Sequence, residues 1–145
     1  MQKIVPFLWF DGKAEEAAKF YVSIFNNSKI LSATPMSVTF QLEGQPFYAL
    51  NGGPQYKFTP AISLFVNCET QQEVDELWGK LSASKADEQC GWLKDKYGLS
   101  WQIIPTVLGK LMGDKNTKKA NAAVQAMLKM KKIDIKGLQQ AFDAA

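Results

Sequence analysis

Apolar and polar positions alternate most cleanly between residues 37 and 43, where Val38, Phe40 and Leu42 stand against Thr39, Gln41 and Glu43. A period of two predicts a strand with one buried face. Segments near 29–34 and 46–51 read as its neighbours, with Glu43-Gly44 as a tight hairpin into the latter. Upstream, residues 3–10 form an apolar run with Pro6 inside it, as expected of a first or edge strand. Asp11-Gly-Lys-Ala-Glu-Glu16 then predicts a helix start capped by Asp11 or Gly12, with acids in the first turn. Ala14, Ala17, Ala18, Tyr21, Ile24 and Phe25 continue that helix at a spacing of three to four.

After Gly52-Gly-Pro54 the order begins again. Residues 60–67 predict a strand, and Thr70-Gln-Gln-Glu73 is a capping box opening a helix striped by Val74, Leu77, Trp78 and Leu81. Strands are expected near 87–95 and 99–105, joined by the turn Lys94-Asp-Lys-Tyr-Gly98. In the last strand Ser100, Gln102 and Ile104 share one face, and Leu99, Trp101 and Ile103 the other. The recurrence of strand, helix and further strands at roughly 55 residues predicts a pseudo-symmetric α+β protein. Three helices are expected beyond it, near 106–113, 117–131 and 134–143. We therefore divide the chain into a module over 1–56, a second over 57–105 and a helical extension over 106–145, all within one structural domain.

Composition narrows the chemistry more than it widens it. The chain has 145 residues, no histidine, and only lysine among its basic residues. Missing imidazole removes the commonest general base near neutral pH and the Ser-His and Cys-His dyads. Missing guanidinium removes the bidentate clamp for carboxylate, phosphate and guanine. Eight lysines of the last forty residues read as a solvated helix face, with no nucleic-acid partner expected. Met127, Leu128 and Met130 read as a packing surface. Cys68 and Cys90 lack a CxxC spacing and are expected to be reduced. No apolar run approaches a membrane span and no cleavage pattern marks the N-terminus, so the expected compartment is the cytoplasm.

Several local motifs resemble one family. Pro6-Phe-Leu-Trp-Phe-Asp-Gly12 with Ala14-Glu-Glu-Ala17 and Phe20-Tyr21, Ala49-Leu-Asn-Gly-Gly-Pro54, Val66-Asn-Cys-Glu69, and Cys90-Gly-Trp-Leu-Lys-Asp95 with Ser100-Trp-Gln-Ile103 are similar to the PhnB-like branch of the vicinal-oxygen-chelate superfamily. That superfamily includes glyoxalase I, bleomycin-resistance proteins and extradiol dioxygenases. The resemblance implies paired βαβββ modules whose sheets form a cup for ligand and, in enzymes, a divalent metal. Its four metal-ligand positions fall at or beside Pro6, within Phe47–Ala49, near Ala61 and on Gln102. The neighbours Val5, Phe7, Tyr48, Ile62 and Trp101 supply no ligand either, so no metal and no cofactor are expected. Members of the branch often bear the label 3-demethylubiquinone 3-methyltransferase. The sequence offers no glycine-rich loop after a first strand, and no acidic residue after a second, to seat S-adenosylmethionine. The branch usually has a longer glycine-rich loop where this chain has only Thr34-Pro35-Met36.

The expected function is a small-molecule-binding protein with a small hydrophobic or aromatic ligand, lined by Leu8, Ala49, Asn51, Ser63, Trp92 and Gln102. Asn51 and Gln102 would orient the ligand by hydrogen bonds. A metal-independent or unusual-metal enzyme is the alternative, with Cys90 as its candidate nucleophile if Lys94 lowers the thiol pKa. A ligand-free dimeric interaction module is the third reading, and a homodimer is expected under all three.

Overall fold

Alternation in the first half becomes a four-stranded sheet in the computed structural model, which describes residues 2–145. The strands are β1 (Phe7–Phe10), β2 (Lys29–Ala33), β3 (Ser37–Leu42) and β4 (Gln45–Asn51), with helix α1 (Ala14–Ile24) between the first two. Their order is β1-β4-β3-β2, with β1 parallel to β4 and the other pairs antiparallel. Strand β1 is an edge strand, shorter than the apolar run that announces it. Pro6 precedes it and still accepts the Tyr48 N–H at 3.0 Å, needing no N–H of its own there. The short Thr34-Pro35-Met36 link closes as a tight hairpin, in which Thr34 Oγ1 accepts from the Met36 and Ser37 N–H groups.

Helix α1 lies on the face carrying Val38, Phe40 and Leu42, all buried with Ala14, Ala17, Ala18 and Tyr21 of the helix. Tyr21 stacks on Phe40, and Phe40 on Phe47, with centroids 6.4 and 5.3 Å apart. Burying an aromatic ring of this kind contributes about 2 kcal/mol. The cap of α1 differs from the expected Asp11 or Gly12. Helical geometry begins at Ala14, whose N–H donates to Asn51 Oδ1 at 2.8 Å, so a side chain from β4 closes the helix start.

The second half builds β5 (Leu64–Cys68), α2 (Gln71–Leu81), a 3₁₀ turn at Lys85–Asp87, β6 (Trp92–Lys94) and β7 (Ser100–Pro105). Sheet order is β5-β7-β6, one strand fewer than the first module. The strand expected over 87–95 shrinks to three residues plus an isolated Gln89–Trp92 bridge. Cys90 and Gly91 both adopt left-handed backbone, with φ of 52° and 86°, and that interrupts the ladder. At the start of α2, Thr70 accepts from the Glu73 N–H, whereas Glu73 reaches back to the Glu69 N–H rather than to Thr70.

Helices α3 (Thr106–Met112), α4 (Thr117–Leu128) and α5 (Ile135–Ala144) complete the fold. Ile104 at the end of β7 joins Leu108, Leu111, Ala123, Ile133 and Leu138 in one core, with Met127 and Met130 packed against it. Leu128 stands apart at 51% exposure. The link between α4 and α5 is tied down by backbone bonds, Cys90 N–H to Met130 O and Gly91 N–H to Lys131 O, both 2.8 Å. Gln71 adds a two-pronged clasp, donating to Ile133 O and accepting from Ile135 N–H. The chain thus divides into two compact units, Met1–Phe58 and Thr59–Ala145, with the C-terminal helices inside the second. Among the described residues no helix is long and apolar enough to cross a membrane.

Candidate functional site

Each sheet carries a helix on one face, and strand alternation decides what the other face presents, which in the second sheet is covered at Ile104 by α3–α5. In the first sheet Leu8, Val38 and Ala49 lie in one register row, all buried on the α1 side. Leu8 and Ala49 are therefore core residues, a correction to their expected place on a ligand cup. The open face is one residue out of phase and presents the row Phe7–Tyr48–Thr39, with Phe7 edge-on to Tyr48 at 6.1 Å. Trp9 lies on the same side. Its ring covers Gly52 so closely that any Cβ there would fall inside it, and its N–H donates to Gly53 O at 2.9 Å. The Gly52-Gly53 pair is thus a seat for Trp9.

Asn51 is likewise structural. Its amide caps α1 through Oδ1 and donates through Nδ2 to Pro35 O at 3.0 Å, so one acceptor and one donor are engaged within the first unit.

The second sheet brings three of the expected residues together. Phe65, Gln102 and Trp92 are register partners across β5, β7 and β6, on the face opposite Leu93, Trp101 and Ile103. Gln102 Nε2 donates to Ser63 Oγ at 3.0 Å, across 39 residues of sequence. Phe65 is 53% exposed beside them, while Trp92, Gln102 and Ser63 are half-buried. The next row on this face pairs Lys94 with Ser100. Next to this cluster, sharing only Trp92 with it, a cleft of about 550 Å³ is bounded by Trp92, Lys94, Ser100, Asp87, Gln89 and Cys90 among others. Ser100 was legible as a neighbour of Gln102 by alternation alone. The sequence pointed to Lys94 only as an activator of Cys90, and Gln89 carried no signal of its own.

Cys90 borders that cleft, but its thiol donates to Leu128 O at 3.6 Å and its N–H to Met130 O. Lys94, the expected activator, pairs instead with Asp87 at 3.9 Å. The geometry makes Cys90 part of the clasp on the α4–α5 link. Cys68 is fully buried and inert: burial first, then the negative charge of Glu73, push its thiol up from 9.0 to about 12. Two buried or half-buried carboxylates are also occupied. Asp95 accepts from Tyr97 N–H, Leu99 N–H and Trp101 Nε1–H, pinning the β6–β7 hairpin. Glu88 accepts from Trp78 Nε1–H and Ser82 Oγ–H. Among the described residues no group of three or more His, Cys, Asp or Glu is placed to hold a metal ion.

Two modules of strand, helix and strands with an open sheet face define an α+β protein of the glyoxalase/bleomycin-resistance type. The family model for 3-demethylubiquinone-9 3-methyltransferase matches residues 2–104, and the chain belongs to that family. It is similar to the PhnB protein from Bacillus cereus, at 39% identity over 72% of this chain and 99% of that one, with a TM-score of 0.61. Protein PA1353 from Pseudomonas aeruginosa shares the fold at 18% identity, covering 72% and 98% of the two chains, with a TM-score of 0.55. A glyoxylase/bleomycin resistance protein/dioxygenase domain from Frankia sp. EAN1pec also aligns, at 14% identity over 72% and 92%, with a TM-score of 0.49. No curated protein matches the chain.

Proposed function

We propose that the chain is a small-molecule-binding protein whose ligand lies on the open face of the second sheet and is held without a metal. The observation that supports this most is Gln102. Its Nε2 donates one hydrogen to Ser63, and its Oε1 makes no hydrogen bond to any described residue, between the exposed ring of Phe65 and the half-buried ring of Trp92. A neutral amide set between two aromatic surfaces orients a planar ligand rather than polarising one.

Donor chemistry supports the metal-free part of the reading. Three of the four positions that bind metal in the enzymatic superfamily fall at or beside Pro6, within Phe47–Ala49 and near Ala61, where the chain offers no carboxylate, imidazole or thiolate, and the fourth is Gln102. The reaction in the family's name would need S-adenosylmethionine, and the residues present do not fit it. The β1–α1 turn, Asp11-Gly12-Lys13, has a single glycine, the first amide of α1 is closed by Asn51, and β2 ends in Ser32-Ala33 without a carboxylate. A homodimer forms part of the proposal, supported by the exposed rings of Phe7 and Phe65.

Titration of ¹⁵N-labelled protein with indole and with benzamide tests the reading. Saturable shifts centred on the Gln102 side-chain amide, the Ser63 N–H and the Trp92 indole are expected. Shifts that scatter over the surface or grow linearly without saturation would overturn it.

A further inference from the structure

We infer that the ligand of this cleft is the carboxylate form of a small aromatic acid, received by Lys94 and Ser100 with its ring against Trp92. The inference rests on the small-molecule reading above and adds the charge and shape of the ligand.

Ser100 supplies the first half of the argument. The residue is 1% exposed and borders the cleft, yet its hydroxyl makes no hydrogen bond to any described residue. The hydroxyl is not among fully enclosed polar atoms without a partner, so the little surface it has opens toward the cleft it lines. A buried hydroxyl is costly to leave unpaired in a dry interior, and it donates readily to an oxygen that approaches from the open side.

Lys94 supplies the second. It is the cross-strand partner of Ser100 on the same face, so ammonium and hydroxyl lie on one side of the sheet. Its only ion pair, with Asp87, is long at 3.9 Å and more than a third exposed on both sides, so it is weak and readily exchanged. Asp87 lines the cleft together with Lys94, so an incoming anion must take the place of that carboxylate at the ammonium. Glu88, the other acid of this loop, is engaged by Trp78 and Ser82. Asp95, next to Lys94, is engaged on the other side of the strand by Trp101.

Trp92 sets the shape. It shares the face with Lys94, two residues away, and its indole N–H has no partner among the described residues. A planar ring lying against the indole would place a carboxylate directed along β6 over the Lys94–Ser100 row. One carboxylate oxygen then accepts from the Ser100 hydroxyl, and the other faces the ammonium as a point charge. A cleft of about 550 Å³ suits a molecule of one or two rings.

The test compares benzoate with benzamide, which share ring and shape and differ in charge, by ¹⁵N chemical-shift titration at low ionic strength. Benzoate is expected to bind at least about tenfold more tightly than benzamide, with shifts at Trp92 and Ser100. K94Q should bring that ratio close to one, and S100A should weaken benzoate in the wild-type Lys94 background. Equal affinity of the wild type for the two probes overturns the inference while the small-molecule reading stands. So does a benzoate preference that survives K94Q undiminished. Saturable binding of neither probe overturns both.

Discussion

Two glycines with matching backbone separate packing from backbone strain. Gly91 and Gly98 have φ of 86° and 84°, a region that L side chains enter at a cost of about 1–2 kcal/mol. Around Gly98 a Cβ would meet nothing within 4 Å. Around Gly91 it would lie 2.5 Å from Ile104 Cδ1, 3.1 Å from Ile133 Cγ1 and 3.4 Å from the Ile103 carbonyl oxygen. Ile104 and Ile133 belong to the core shared by β7 and the C-terminal helices, so neither can retreat without disturbing it. Overpacking of this kind adds about 1–3 kcal/mol. G98A should therefore lose about 1–2 kcal/mol and G91A about 2–5 kcal/mol in urea unfolding. For a chain of this length, the larger loss lowers Tm by about 5–15 °C. The Cys90 and Gly91 amides also hold the α4–α5 link, so G91A should accelerate hydrogen exchange at those two amides while G98A does not. Equal losses for the two variants, or slow exchange at Cys90 in G91A, would refute the claim that this segment is clamped between sheet and helices.

Other outcomes follow from single side chains. Asn51→Ala removes the α1 cap and the bond to Pro35, and should cost about 1–2 kcal/mol without altering benzamide shifts at Trp92. A change in those shifts would return Asn51 to the ligand. Asp95→Ala strands the Tyr97, Leu99 and Trp101 donors in a buried hairpin and should cost about 2–4 kcal/mol by urea denaturation. Cys68, held near 12, should alkylate at pH 8 about a thousandfold more slowly than a thiol at 9.0, read by mass spectrometry of iodoacetamide adducts. The fold favours its neutral thiol, so that contribution is whole below 9.0 and is lost as pH rises toward about 12. Cys68→Ser should flatten the alkaline fall in stability over that window.

How far the chain could be read in advance depends on the range of the forces involved. The β3 alternation, the α1 and α2 stripes and the Thr70 cap are local, and all appear as expected. Which face of a strand meets its helix is a long-range matter. Phe7 and Trp9 are as apolar as Leu8 and Phe10, so a period of two locates two faces without saying which is covered, and Leu8 and Ala49 fall on the wrong one. Gln102 drew notice because a lone amide among Trp101, Ile103 and Ile104 stands out in composition. Its bond to Ser63 joins residues 39 apart and was not legible. The work of Asn51, Gln71 and Cys90 likewise involves partners 16 to 64 residues away, and composition contains no trace of such pairings.

Native mass spectrometry of protein purified without added metal, with elemental analysis of the same sample, tests the central claim most directly. We predict a metal-free dimer carrying a small organic mass, and loss of that mass from a W92A/Q102A variant. Stoichiometric divalent metal, or an organic mass that stays bound when Trp92 and Gln102 are both replaced, would contradict a metal-free ligand site on the second sheet.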